Sequence, residues 1–218
     1  MTRDELVTEI RNKLGYNTGL TESYITTAID NAQDLLEQEP ELPWFLETEI
    51  SSISTVADEE RIPVPSDYIR SIPDNPLWYF NTSGSGAPWI EIVKESMGTL
   101  RAWQAGQIET EREGAPQAYA LQGKYFRLFP TPDAVYTIKH IYYKTDDKMT
   151  TGAETNEWAT EAPYMLIGKA GMLLTLNSRN VKSQALFGGI YQDAAMRLGF
   201  KSEAREHAGA VYVRGGAD

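Results

Sequence analysis

The chain contains no cysteine and only two histidines among its 218 residues. The first absence excludes disulfides, thiolate metal sites and cysteine nucleophiles, and it fits assembly in a reducing cytoplasm. The second leaves His140 and His207 as the available imidazoles. A Ser-His-Asp arrangement would have to use one of them, and no Gly-x-Ser-x-Gly elbow accompanies either. A zinc site built on histidine lacks both ligands and spacing. Long apolar runs are missing too. The most apolar stretch, Tyr164 to Leu176, carries Lys169 and is shorter than the roughly 20 residues that span a bilayer. The opening Met1-Thr2-Arg3-Asp4-Glu5 has neither the basic end nor the apolar run of a signal peptide. No membrane role is expected. Arg and Lys are dispersed without basic blocks, which argues against specific nucleic-acid binding.

The short motifs that carry chemistry fail on inspection. Gly123-Lys124 is preceded five residues earlier by Ala118 and followed by Tyr125, so it is not a phosphate loop. Gly84-x-Gly86 runs into Ala-Pro-Trp and opens no dinucleotide site. Asp146-Asp147 and Glu109-x-Glu111-x-Glu113 offer oxygens to a hard cation, but neither has the spacing of a calcium loop. A solvated turn or strand edge is the simpler reading. A carboxylate-dependent hydrolase would need a pair such as Glu91 and Asp146, and nothing in their spacing singles them out. The chain is therefore expected to be no enzyme and to need neither cofactor nor metal.

What is present is acidic charge, unevenly placed. The net charge is −11, yet residues 1–60 hold 14 acidic and 3 basic side chains, while residues 61–218 hold 17 of each. The first quarter repels phosphates and suits either a solvated face or a passage through which DNA slides without sticking. Aromatic rings are plentiful, with five Trp, twelve Tyr and six Phe. Most serve a core, but amphipathic rings also suit surfaces buried against a partner. Exposed Trp78, Trp89 or Trp103 would support an alternative reading, a carbohydrate- or host-binding virion module.

The periodicities give an order of elements. Thr2-x-x-Glu5 is a capping box, Leu6, Ile10 and Leu14 recur every four residues, and Gly15 can stop the helix. A second helix is predicted from Thr21 to Glu39, with Tyr24, Ile25, Ala28, Ile29, Ala32, Leu35 and Leu36 on one stripe and Pro40 and Pro43 beyond it. Extended segments follow from Ile50 to Val56 and Arg61 to Pro65. Short strands and turns cover Ser66 to Asn81, and a flexible tip covers Asn81 to Gly86. A strand at Trp89 gives way to a helix near Glu95 to Gln104. Strands Ala118–Leu121, Tyr125–Phe129 and Tyr136–Lys144 are predicted to form an antiparallel meander, the first two joined at Gln122-Gly123-Lys124. Two C-terminal helices are predicted, Glu157 to Ser178 and Ser183 to Glu206. The second carries Leu186, Ile190, Tyr191, Ala194 and Leu198 on one face, and Gly188-Gly189 can bend it. The expectation is an α+β fold: a helical bundle from the N- and C-terminal segments with an antiparallel β-rich insertion. Its parts are residues 1–43, 44–150 and 151–207, followed by a tail at 208–218 expected to order on partner binding.

That order is familiar. Two short amphipathic helices precede Pro43-Trp44-Phe45-Leu46. Ile62-Pro63-Val64-Pro65-Ser66-Asp67-Tyr68-Ile69-Arg70 follows, then Gly114-Ala115-Pro116-Gln117-Ala118-Tyr119 and a hairpin ending Leu128-Phe129-Pro130-Thr131-Pro132. Tyr136 to Tyr143 matches the next strand, and Asn156-Glu157-Trp158 with Ala162-Pro163 opens the C-terminal helix. Over residues 20–200 or so the chain resembles the head-to-tail adaptor proteins of tailed phages, the group that includes tail tubular protein A and the portal-attached tail accessory factors. The acidic first quarter and the Gly-rich segment 81–86 match no motif of that group.

The resemblance implies a virion neck protein, assembled in the host cytoplasm. It implies a ring, commonly of twelve copies, with the portal protein above, tail or nozzle proteins below, and DNA passing through without specific binding. It also implies that the C-terminal tail reaches along the portal. Tyr212 and Arg214, with Val211 and Val213 beside them, would then be its anchors.

Overall fold

Thr2 starts the first helix as the sequence predicts. Its hydroxyl accepts from the Glu5 amide at 3.3 Å while the Glu5 carboxylate accepts from the Thr2 amide at 2.9 Å, a complete capping box. Helix α1 (Arg3–Lys13) ends before Gly15, whose φ of +75° is one that glycine adopts without strain. Helix α2 (Glu22–Leu36) buries Ile25, Ala28, Ile29, Ala32 and Leu36. Tyr24 and Leu35, predicted on the same stripe, instead face solvent, and Gln33 is buried in their place. The buried arc of α2 is thus displaced from the one its most apolar residues would define.

The computed structural model describes residues 1–15, 19–73, 76–80, 89–106, 112–176 and 181–208. The predicted tip at 81–86 lies outside them. Among the described residues the fold is mixed α+β, with six helices and eight strands in two compact units, 1–46 with 146–218, and 47–145.

In the first unit the C-terminal helices differ from the single run expected from Glu157 to Ser178. The chain forms α4 (Glu157–Glu161) and α5 (Pro163–Thr175), separated at Ala162, whose φ and ψ of −137° and 47° are not helical. The cause is Pro163, which disfavours helical geometry in the residue before it yet starts α5 well. Helix α6 (Val181–Ala208) runs through both Gly188 and Gly189. Helix α5 packs against both α2 and α6, and α1 packs against α2 and α5. Phe187 of α6 is fully buried, its ring over Gly171 of α5, while Leu186, predicted to face inward, is exposed.

The second unit is a sheet in the order β1-β8-β4-β5-β6-β7-β2, with β3 also paired to β8. The strands are β1 (Glu47–Ser54), β2 (Arg61–Pro63), β3 (Tyr68–Ser71), β4 (Leu77–Phe80), β5 (Trp89–Lys94), β6 (Ala118–Gln122), β7 (Tyr125–Phe129) and β8 (Thr137–Lys144). The β6–β7 hairpin turns at Gly123, where φ is +61°. The expected meander is overturned at its third strand: β8 pairs with β1, β3 and β4 and not with β7. One pairing, β5 with β6, is parallel, against the expectation of a wholly antiparallel sheet. Helix α3 (Met97–Gly106) lies between those two strands in sequence and makes the crossover that a parallel pair requires.

The sheet curls on itself. The Phe126 ring of β7 lies 4.8 Å from His140 of β8, and 5.9 Å from Tyr68 of β3, although these strands are well separated in the pairing order. Curling lets one apolar face close into a core of Ile62, Leu77, Tyr79, Ile92, Tyr119, Phe126, Leu128 and Ile138. Alternation along β8, with Ile138, His140 and Tyr142 buried, feeds that core. A smaller cluster, Leu100, Ala118, Ala120 and Phe129, seats α3 on the hairpin.

Candidate interaction surfaces

The one Ser–His contact in the described residues is Ser71 Oγ to His140 Nε2, at 3.3 Å. It is a poor start for nucleophilic catalysis. His140 is fully buried, its Nδ1 has no hydrogen-bond partner, and the second ring nitrogen therefore lacks the carboxylate that orients a catalytic base. The groups around it are rings: Tyr142 stacks at 4.8 Å, Phe126 stands edge-on at 4.8 Å and Tyr68 is tilted at 5.6 Å. Burial among them pushes the imidazole down to about 4.

The consequence is acid sensitivity. A histidine whose pKa is lower in the folded state contributes stability that is present above its ordinary pKa near 6.5 and is lost as pH falls toward 4. At most about 3 kcal/mol is at stake in the β unit. His140→Gln, which cannot titrate, should flatten the pH dependence of thermal unfolding between pH 6.5 and 4. Glu37, raised by burial in the helical unit, acts with the opposite sign there, gaining stability as pH falls. An unchanged acid slope in His140→Gln would show that another group carries it.

The carboxylates are committed to structure. Asp146 Oδ2 accepts from the Trp158 amide at 3.0 Å, capping α4 together with Asn156, which accepts from Ala159 at 2.9 Å. Glu91 sits on β5 opposite Trp78. No group of three or more His, Asp or Glu able to hold a metal ion occurs among the described residues. Glu109 and Glu111 lie outside them. The three tryptophans considered for ligand binding divide. Trp78 and Trp89 are half-buried, with Lys139 over their rings at 5.7 and 5.1 Å, and Trp103 is exposed but leans on Phe129 at 5.7 Å. They do not line up as one stacking platform.

The helical unit offers more. Its polar joint is Glu37, which accepts from Gln33 Nε2 at 2.9 Å, the Asp146 amide at 3.1 Å and Trp158 Nε1 at 3.3 Å. Beside it, Glu39 accepts from Lys169 Nζ at 3.0 Å and from the Tyr191 hydroxyl at 2.8 Å, tying the end of α2 to α5 and α6. A cleft of about 240 Å³ opens there, lined by Pro43, Trp44, Met165, Tyr191 and Leu198, and Arg205 lies 3.5 Å above the Trp44 ring. Such a cation–ring contact anchors the far end of α6.

The second side of α6 was missed at the level of sequence. Met196 and Phe200 are 60% and 69% exposed, and Leu186 is 48% exposed. The alternating four- and three-residue spacing through Lys182, Leu186, Gly189, Asp193, Met196 and Phe200 was the available signal. Val211, Tyr212, Val213 and Arg214, expected as partner anchors, lie outside the described residues. No described helix is long and apolar enough to cross a membrane.

Compared with known proteins, the chain matches no curated protein. The family model described as SU10 adaptor protein matches residues 1–214.

Proposed function

Since the chain belongs to the SU10 adaptor protein family, a family of structural phage proteins, we propose that it is the head-to-tail connector subunit of a tailed bacteriophage virion. The family match across residues 1–214 carries this reading. In the pattern of the tail tubular protein A group, the subunit forms a ring of about twelve copies. The portal protein binds on one side and tail or nozzle proteins on the other. The helices act as the bundle that packs around the ring, and DNA passes through the lumen without specific binding.

Three features support it. The strongest polar contacts in the helical unit join elements to one another and leave no assembled catalytic group in the described residues. The excess of acidic charge in residues 1–60 suits a wall that DNA must not grip. The tail at 208–218 has no core pattern of its own, which fits a segment that orders on the portal through Val211, Tyr212, Val213 and Arg214.

Negative-stain imaging and light scattering of the purified protein, with and without portal rings of the same phage, test the reading. Rings, or monomers that assemble into a ring on the portal, are expected. A protein that stays monomeric and ignores the portal would overturn it.

A further inference from the structure

Helix α6 is longer than the helix it packs on. Gly168 of α5 meets Tyr191 and Gly171 meets Phe187, so the two helices run antiparallel. Pro163, the first residue of α5, borders the same groove as Leu198. From Gly199 to Ala208, α6 therefore continues past the start of α5, for about 15 Å at the usual rise of a helix. Of residues 199 to 205, Ser202 alone is half-buried and the rest are exposed.

Among the described residues, polar and ring contacts hold this extension at two places. Lys201 Nζ reaches Glu161 at 3.7 Å, with the lysine side chain 57% exposed, and an ion pair so open to water adds little. Arg205 lies 3.5 Å above the Trp44 ring and has no carboxylate partner among the described residues. Beneath the extension the packing is open. The cleft there is bordered by Gly199 and Ser202 on the α6 side and by Pro43, Trp44 and Met165 across from it. Atoms lining a void lack partners on that side, and Trp44 Nε1 is buried without a hydrogen-bond partner. Both work against tight closure. Gly199 stands where the extension leaves α5, nothing lies within 4 Å of its Cβ position, and glycine weakens a helix more than any residue but proline.

We infer that residues 199–208 form a hinged arm, a helical lever that turns about Gly199 and is latched closed by Arg205 on the Trp44 ring. Closed, the arm roofs the cleft. Open, it releases Arg205 to solvent, lets water reach Trp44 Nε1 and uncovers Pro43 and Met165. The helical bonds beyond the pivot stay formed, so the motion is a rotation of the helix end and not its melting. The tail begins at Gly209, where the arm ends, and the latch therefore sets the point from which the tail leaves the helical unit. The device belongs to the single chain and does not depend on the ring reading.

Because the chain has no cysteine, introduced pairs carry spin labels at chosen sites only. Gln38→Cys with Glu203→Cys spans the latch. Gln38→Cys with Gln192→Cys, in the part of α6 that packs on α5, is the fixed control. All three positions are exposed. Double electron–electron resonance on the full chain should show a dominant short and a minor long distance for the first pair, and one distance for the control. Adding Arg205→Ala should raise the long-to-short ratio about fivefold, as expected for loss of one cation–ring contact. Adding Gly199→Ala should lower that ratio, because alanine stiffens the helix at the pivot. Far-UV circular dichroism should be the same in all of them. A single short distance that Arg205→Ala leaves in place would overturn the latch. A longer distance accompanied by loss of helical signal would mean that the helix end melts, and would overturn the lever. A ratio that Gly199→Ala does not lower would overturn the pivot.

Discussion

Replacing Gly168 with leucine is expected to dismantle the α5–α6 contact and destabilise the helical unit by about 3 kcal/mol or more. The reason is the closeness of the helices. A Cβ at Gly168 would stand 2.7 Å from the Tyr191 backbone nitrogen, and one at Gly171, a turn further on, would run into the Phe187 ring. At Gly171 a side chain can in principle turn aside. At Gly168 the obstacle is main chain, so α6 itself must move. That movement would also strain the Tyr191 hydroxyl bond to Glu39 and the Phe187 packing. Gly188→Ala supplies the contrast, because nothing lies within 4 Å of its Cβ position. It should stabilise α6 by about 0.5–1 kcal/mol through helix propensity. Thermal unfolding followed by circular dichroism checks both. Equal effects at Gly168 and Gly188 would mean that the close approach is not what fixes these helices.

Trp158→Ala should cost about 3–5 kcal/mol, the range for removing a fully buried large aromatic. Trp158 is 1% exposed and stands edge-on to Phe45 with centroids 5.0 Å apart. It also supplies one of the three donors to Glu37. Trp158→Phe separates these roles. It keeps most of the packing and removes the donor, so a loss of about 1–2 kcal/mol is expected, arising from a buried carboxylate short of one hydrogen bond. Denaturant unfolding of the two variants gives the comparison. If Phe were as damaging as Ala, the polar joint would outweigh the packing.

These positions explain why the sequence was legible as far as it was. The residues that carry the likeness to phage adaptors turn out to build the core of each unit separately. Phe45 and Leu46 are buried, with Phe45 against Trp158, and Trp44 lies under Arg205. In the β unit, Asp67 Oδ1 accepts from the Tyr142 hydroxyl at 2.9 Å, Tyr68 packs on Phe126, and Ile62 enters the core. Local chemistry was equally readable. The capping box at Thr2, the hairpin at Gly123 and the strand alternation in β8 follow from the residues at those positions.

Other features resisted because they depend on distant partners. Tyr24 and Leu35 look like core residues, yet α5 meets α2 on the neighbouring arc and draws Gln33 inside, where Glu37 and Asn156 satisfy it at 2.9 and 3.0 Å. Ser71 and His140 are remote in sequence, and only the pairing of β3 with β8 brings them within 3.3 Å. No pattern in β8 announces that it will pair with β1, β3 and β4 and bypass the hairpin beside it, since strand partners are chosen by the closure of the whole core.

By itself, then, the sequence determined the order and approximate extent of most helices and strands, that the chain is α+β, where the charge lies, and that the usual chemical motifs are missing. Each of these rests on the residues within a few positions of one another, through hydrogen bonds, side-chain period and backbone freedom. Tertiary structure alone decided which apolar residues are covered, which strands pair and which polar groups are buried together. Those outcomes minimise exposed apolar surface and unpaired polar atoms over the folded unit as a whole. The exposed Tyr24 and Leu35 of α2, and Met196 and Phe200 of α6, are what that process leaves over.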